Sequence, residues 1–366
     1  MLKKMLTGLT GLLCLVIASL AVAAGVSAHY KIVTGQERGT YIQIGADLSK
    51  YVAQPAGIDL EVMPSKGSAE NVQRMRFEPG VKLALVQSDV YQAYIDMANS
   101  GNADAGTTIR PLRLIMPLYN EEIYFVVRDD SSMKTINEIK DKVISIGPIG
   151  SGTAQSATTL YHLMFNQPIP EQNVQSLSNE DAIAALVVKK IDVAVIVAGQ
   201  PAKLFTDMNP DLLSQIRILR ADPNAAETTR AKETYFPATI RQSSYPNWLK
   251  EDVPTLTVKA FLVTYDYGLR DTVSNLNRFA DSLCENFDVL QEKGHPKWKQ
   301  VKLELPPLTK GWQYYPPIER HLRSCIARRA SMPAGGATAA QQQPAAPKVN
   351  KRPCSDQERL LLLCGK

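Results

Sequence analysis

Residues 143–165 read VISIGPIGSGTAQSATTLYHLMF. A short β-branched run, Val143, Ile144 and Ile146, stops at Gly147. A turn with three glycines follows, and from Thr153 the sequence is free of glycine and proline for a helix's length. The reading is a strand over 143–146, a glycine-bearing junction over 147–153 and a helix over 153–165. The same rhythm continues outward. Downstream come a strand over 174–177, a helix over 180–189, a strand over 191–198, a helix over 201–207 and a strand over 216–219. Upstream, a strand over 29–34 leads into a helix over 40–52, where Ile44, Leu48 and Val52 share one face and Thr40 with Gln43 forms a capping box. A strand over 58–64, a helix over 68–76, a strand over 81–86 and a helix over 89–99 follow. Residues 112–128 read as two strand-like runs around Asn120, and a helix is expected near 136–141. This βαβα order predicts parallel sheets with helices on both faces.

A third block breaks the pattern: a strand over 255–265, a long helix over 271–291, a Pro-rich aromatic stretch over 305–318 and a helix over 319–329. Returning it to the first domain makes the chain cross twice between two lobes, near 124–128 and 254–257, and two crossings form a hinge. The expected organisation is therefore an α/β chain with lobe I over 29–126 plus 256–327 and lobe II over 127–255. A linker over 328–353 follows, including the uncharged SMPAGGATAAQQQPAAP of 331–347, and a short helical tail over 354–366 begins with Ser355 and Glu358 as a capping box.

The ends carry the charge. The chain has 41 Lys and Arg against 36 Asp and Glu, a net of +5. Residues 1–28 hold two of those cations and no acid, and residues 328–366 hold seven cations and two acids. The body between them has 32 cations and 34 acids, a net of −2, so it has no charge surplus for nucleic-acid binding. Lys3 and Lys4, the apolar run after them and Val26-Ser27-Ala28 read as a secretory signal cleaved before His29. The alternative is an uncleaved anchor, because 5–28 is 24 uncharged residues. Export to the periplasm permits disulfides. With Cys14 removed, four cysteines remain, and sequence proximity pairs Cys284 with Cys325 and Cys354 with Cys364. Their spacing does not suit zinc.

In open α/β sheets ligands collect at the carboxyl ends of the strands. Five junctions there are small, polar or glycine-bearing: Gly39-Thr40-Tyr41; Ser65-Lys66-Gly67-Ser68; Gln87-Ser88-Asp89; 147–153; and Gly199-Gln200-Pro201. Small residues let a ligand approach the backbone, and helix N-termini favour anions. Any one of them is what an ordinary βα turn wants; five, divided between two domains, point to a cleft. The 147–153 junction lacks the Lys-Ser/Thr ending of a nucleotide loop. Gly-x-Ser-x-Gly and His-Glu-x-x-His signatures are missing, and no metal or cofactor is expected. The reading is a binding protein and not an enzyme.

These junctions, together with Ile44-Gly45-Ala46, Pro64 before Ser65, Ala69-Glu70-Asn71, Val126-Val127-Arg128 and the return segment from Tyr235-Phe236 to Val253-Pro254-Thr255, resemble the TAXI-type solute receptors of tripartite TRAP transporters over roughly residues 30–318. The resemblance implies a two-crossing (type II) periplasmic-binding-protein fold. It also implies capture of a small carboxylate of the glutamate, glutamine or dicarboxylate kind, and delivery to TRAP-type membrane permease subunits. The alternative is a periplasmic sensor that presents its solute to a membrane signalling protein. The ligand-binding residues so implied are Gly39, Thr40, Tyr41, Ser65, Gly67, Ser68, Gln87, Ser88, Ser151, Gly152, Thr153 and Gly199. Two cations, Arg38 and Lys66, stand where the family has glycine. They are either solvated rim side chains or charge partners for an anionic ligand.

Overall fold

The computed structural model describes residues 28–232, 234–308 and 311–331. Residues 1–27 of the expected signal over 1–28, most of the linker, the tail and the Cys354–Cys364 pair lie outside the described residues. Ten strands form one sheet: β1 (Ala28–Val33), β2 (Ile58–Met63), β3 (Val81–Gln87), β4 (Leu112–Arg128), β5 (Ile144–Ser145), β6 (Val174–Gln175), β7 (Val193–Ala198), β8 (Ile216–Ile218), β9 (Phe236–Ile240) and β10 (Val253–Tyr265). The order is β2-β1-β3-β10-β4-β7-β5-β6, with β8 beside β4 and β9 beside β10. The chain is an α/β protein of two lobes with two crossings.

The purely parallel sheets expected from the βαβα rhythm are found only toward the two ends. β2, β1 and β3 run parallel, as do β7, β5 and β6. Between them β10 lies antiparallel to β3 and to β4, and β4 antiparallel to β7. These two long strands carry the chain from one lobe to the other. Residues 112–128 form one strand of 17 residues, not two around Asn120. The polar triplet Asn120-Glu121-Glu122 does not turn, because its residues pair with Lys259, Val258 and Thr257 on β10, and Glu122 also pairs with Ala198 on β7.

Three hydrophobic cores follow this division. One draws on residues 30–119 and 260–325; the other two draw on 123–258. The change of core thus falls at residues 120–122 and at Lys259, beside the expected crossings. β3 is buried along nearly its whole length, as befits a strand covered on both faces.

Several helix expectations need correction. The helix starting at Thr40 ends at Leu48 and continues as a π-turn, Ser49–Ala53. The segment near 136–141 is only a 3-10 turn, Ile136–Glu138. The 271–291 helix is broken at Asn286 into Arg270–Glu285 and Phe287–Lys293. The last helix, Pro316–Ser331, runs on into the expected linker.

Cys284 is bonded to Cys325, with Cα atoms 6.4 Å apart and a sequence separation of 41. The bond joins the helices Arg270–Glu285 and Pro316–Ser331. A closed loop of this length restricts the unfolded chain by about 2–4 kcal/mol. Replacing both cysteines by serine is therefore expected to lower the unfolding free energy by that amount in denaturant titrations. An unchanged midpoint would show that the bond contributes nothing.

Candidate functional site

The strand ends of both lobes converge on one small cavity. It is lined by Gly39, Thr40, Tyr41, Gly67, Ser68 and Gln87 from the first lobe and by Ser151, Gly152 and Thr153 from the second. The hydroxyls mostly do structural work. Ser151 caps the helix Gly152–Phe165 by accepting from Ala154 N. Ser68 Oγ accepts from Gln87 N at 3.0 Å, tying one junction to the next. Thr40 does not form the expected capping box: Gly39 is the N-cap without a side-chain bond, and the Thr40 hydroxyl reaches the other lobe. It donates to Gly199 O at 3.0 Å and accepts from Gly199 N at 3.1 Å.

Three of the sequence-derived residues lie off the cavity. Ser65 turns inward, donating to Asn71 Oδ1 at 2.6 Å and accepting from Gly67 N at 3.0 Å, so it shapes the turn. Ser88 faces a separate, wider groove with Phe261 and Trp312. Gly199 is the partner of Thr40, and a Cβ there would lie 2.9 Å from Lys297. Arg38 and Lys66 do line the cavity. Both are exposed, and the Arg38 guanidinium lies 3.6 Å from Asp207, so they form its rim.

The lobes are closed on each other. Glu70 N donates to Gly150 O at 2.9 Å. Asp89 Oδ2 accepts from Ser156 Oγ at 2.6 Å and from Tyr235 OH at 2.9 Å, and burial pushes the Asp89 carboxyl up. Asp89 is thus a latch between the lobes. The approach is close enough to require glycine: a Cβ on Gly152 would sit 2.0 Å from Gln87 Oε1, and Gly67 holds φ at 131° with its would-be Cβ 3.2 Å from Gly152 N. The cavity volume is about 50 Å³. At ~10–15 Å³ per water this is room for three to five waters.

Sequence reasoning missed the acids at the cavity floor. Glu121 lines the cavity and is 3% exposed. Gln87 Nε2 donates to its Oε2 at 3.2 Å. Burial pushes the Glu121 carboxyl up to about 8, against the pull of Tyr41, Gln87 and Lys297. Burial and the Glu121 charge push the Tyr41 phenol well up. Gln87 Oε1 and Asn179 Oδ1 are buried at the cavity without a hydrogen-bond partner among the described residues, and the buried Tyr41 phenol interacts with the Glu121 carboxyl. Behind the floor, Lys297 Nζ donates to Glu122 Oε1 at 2.6 Å, and Glu122 also accepts from Gln200 N and Nε2, each at 2.9 Å. The available signal was the triplet 120–122, three polar residues in the middle of an apolar run. Nothing in the sequence pairs Lys297 with it.

Among the described residues no helix is long and apolar enough to cross a membrane, and no group of His, Cys, Asp or Glu is arranged to hold a metal. Compared with known proteins, residues 32–310 match the profile of the NMT1-like family. The structure is similar to a protein from Bordetella bronchiseptica (13% identity over 85% of each chain, TM-score 0.45). It is also similar to the arginine-, lysine-, histidine-binding protein ArtJ of Geobacillus stearothermophilus (11% identity, 74% of this chain and 100% of that one, TM-score 0.43). A third similar structure is the alkanesulfonate-binding protein SsuA of Xanthomonas axonopodis pv. citri bound to MOPS (13% identity, 81% and 83%, TM-score 0.41).

Proposed function

The chain belongs to the NMT1-like family, and on that premise we propose that it is an extracytoplasmic solute receptor. It captures a small carboxylate-bearing solute, of the glutamate, glutamine or dicarboxylate kind, between lobe I (29–126 with 256–327) and lobe II (127–255). It then delivers the solute to a tripartite membrane transporter of the TRAP type, as the resemblance to TAXI receptors implies. Residues 1–28 direct its export to the periplasm. The reading gives the protein no covalent chemistry.

One observation carries the reading: a small, partly open cavity walled by strand ends of both lobes, with buried polar atoms, Gln87 Oε1 and Asn179 Oδ1, that no group among the described residues satisfies. Buried polar atoms are ordinarily paired, because leaving one unpaired costs about 1–3 kcal/mol. A captured solute supplies the missing partners. The helix Gly152–Phe165 adds the first-turn N–H groups of Gly152 and Thr153, which have no acceptor within the helix and favour a carboxylate.

The test is thermal unfolding of the purified protein, stripped of co-purified ligand, against small carboxylates and amino acids. A ligand at a hundred times its Kd adds about 2.7 kcal/mol, a shift of several degrees. Gly152→Val, whose side chain collides with the buried Gln87 and Ser68, is expected to lower the unliganded midpoint and to lose the shift. A panel in which no member moves the wild-type midpoint at millimolar concentration would overturn the receptor reading.

A further inference from the structure

The charge inside the cavity opposes the charge at its rim. Arg38 and Lys66 sit in solvent, and Arg38 already faces Asp207. Inside, Glu121 is buried and forms no salt bridge among the described residues. The nearest candidate, Lys297, is committed elsewhere: its three donors go to Glu122 Oε1, Asn120 O and Gln300 Oε1 at 2.6, 2.7 and 2.9 Å. Two further atoms at the cavity, Gln87 Oε1 and Asn179 Oδ1, are unsatisfied acceptors. The Tyr41 phenol and Gln87 Nε2 are donors beside the Glu121 carboxyl; the interior otherwise presents acceptors and holds no cation among the described residues. A dicarboxylate alone would bring more acceptors to this floor. An ammonium would bring three donors and a positive charge that takes the place of the proton held by the buried Glu121 carboxyl.

The opposite requirement is met close by. Gly152 and Thr153 open a helix of 14 residues, and their N–H groups have no acceptor within it. Gly152 lies against Gln87, whose amide in turn touches Glu121. Acceptors and anion-favouring donors thus lie side by side in a cavity of about 50 Å³. That spacing suits a solute whose cationic and anionic groups are on neighbouring atoms.

We propose that Glu121 is the specificity-determining residue that binds the ammonium of a compact α-amino acid, whose carboxylate lies at the start of the helix Gly152–Phe165. This rests on the receptor reading above and narrows its ligand class, placing amine-free acids among the rejected solutes. Gln87 is the positioning residue, holding the Glu121 carboxyl through Nε2 and offering Oε1 to the same ammonium.

The experiment is calorimetric titration of the intact protein with matched pairs that differ only in the amine: glutamate against glutarate, and alanine against propionate. The wild type is expected to prefer the amine-bearing member of a pair by about 100-fold, the worth of a charge-assisted bond in a desolvated site. Glu121→Gln is expected to reduce that preference to under about 10-fold with an unaltered circular dichroism spectrum, and Glu121→Asp to keep its direction at weaker affinity. Amine-free acids binding the wild type as tightly as their partners would overturn the inference and leave the receptor reading intact. So would a Glu121→Gln protein that keeps the full preference. Failure of every carboxylate and amino acid to bind the wild type would overturn both.

Discussion

Replacing Lys297 by methionine is expected to lower the unfolding free energy by about 3–5 kcal/mol, the loss that follows when one member of a buried ion pair is removed. The Lys297 side chain is fully buried, and its Nζ lies 2.6 Å from Glu122 Oε1, which is itself 6% exposed. Methionine matches the stem but leaves the Glu122 carboxylate without its cation. Gln200 still donates two hydrogen bonds to it, which do not cancel a charge. Three segments are affected together. Lys297 comes from the 3-10 turn Pro296–Gln300, Glu122 from β4, and Gln200 carries the network on to Thr239 O and Arg241 N. Denaturant unfolding of the wild type, Lys297→Met and the double variant Lys297→Met/Glu122→Gln separates charge from packing. The double variant is expected to recover most of the loss, because the orphaned charge is gone. A single variant as stable as the wild type would mean that the pair only balances its own desolvation.

The second large effect is the pH dependence of stability carried by Glu121. Its carboxyl titrates at about 8 in the folded protein and at ~4.3 when unfolded. Between those values the native state holds a proton that the unfolded state has released. The free energy of unfolding therefore falls as pH rises from ~4.3 to about 8, and is flat on either side. At ~1.4 kcal/mol per pH unit the fall is at most about 5 kcal/mol. Gln87, Tyr41 and Lys297 hold it back, and Glu122 adds to it. Glu121→Gln mimics the protonated form and removes the titration. The wild-type minus variant difference is expected to slope downward through that window in paired unfolding curves. A difference that does not change with pH would place the Glu121 carboxyl in the ordinary range and the cause of its burial elsewhere.

Much of the frame could be read from periodicity alone. The glycine junction at 147–153 and the helix after it stand within a residue of their expected places, because glycine and a serine cap are local signals. The long central strands are a different matter. Asn120, Glu121 and Glu122 look like a turn in one dimension. Only in three dimensions do Gln87, Gln200 and Lys297 explain three polar side chains in a buried strand. Thr40 shows the same limit. A threonine three residues before a glutamine reads as a cap, and a partner 159 residues away in sequence outcompetes that local bond. The junction residues could be collected from sequence because strand ends are predictable. Which hydroxyls face inward, Ser68, and which brace the turn, Ser65, depends on side-chain direction, which spacing does not encode.

β4 and β10 pass from one lobe to the other side by side, paired over most of the stretch they share, with register shifts beside Lys259 and Leu262. A connection of that kind has no loop at the crossing. It behaves as a leaf spring: parting the lobes bends and twists a hydrogen-bonded ribbon, and the deformation is shared over many residues instead of being concentrated at one swivel. A spring has a rest position, so on the receptor reading the balance between gripping and releasing a solute lies in how strongly the clasp at Asp89, Ser156 and Tyr235 pulls against the ribbon's recoil. Substitutions that loosen the clasp tune how long cargo is retained, whereas substitutions in the ribbon change the shape of the whole protein.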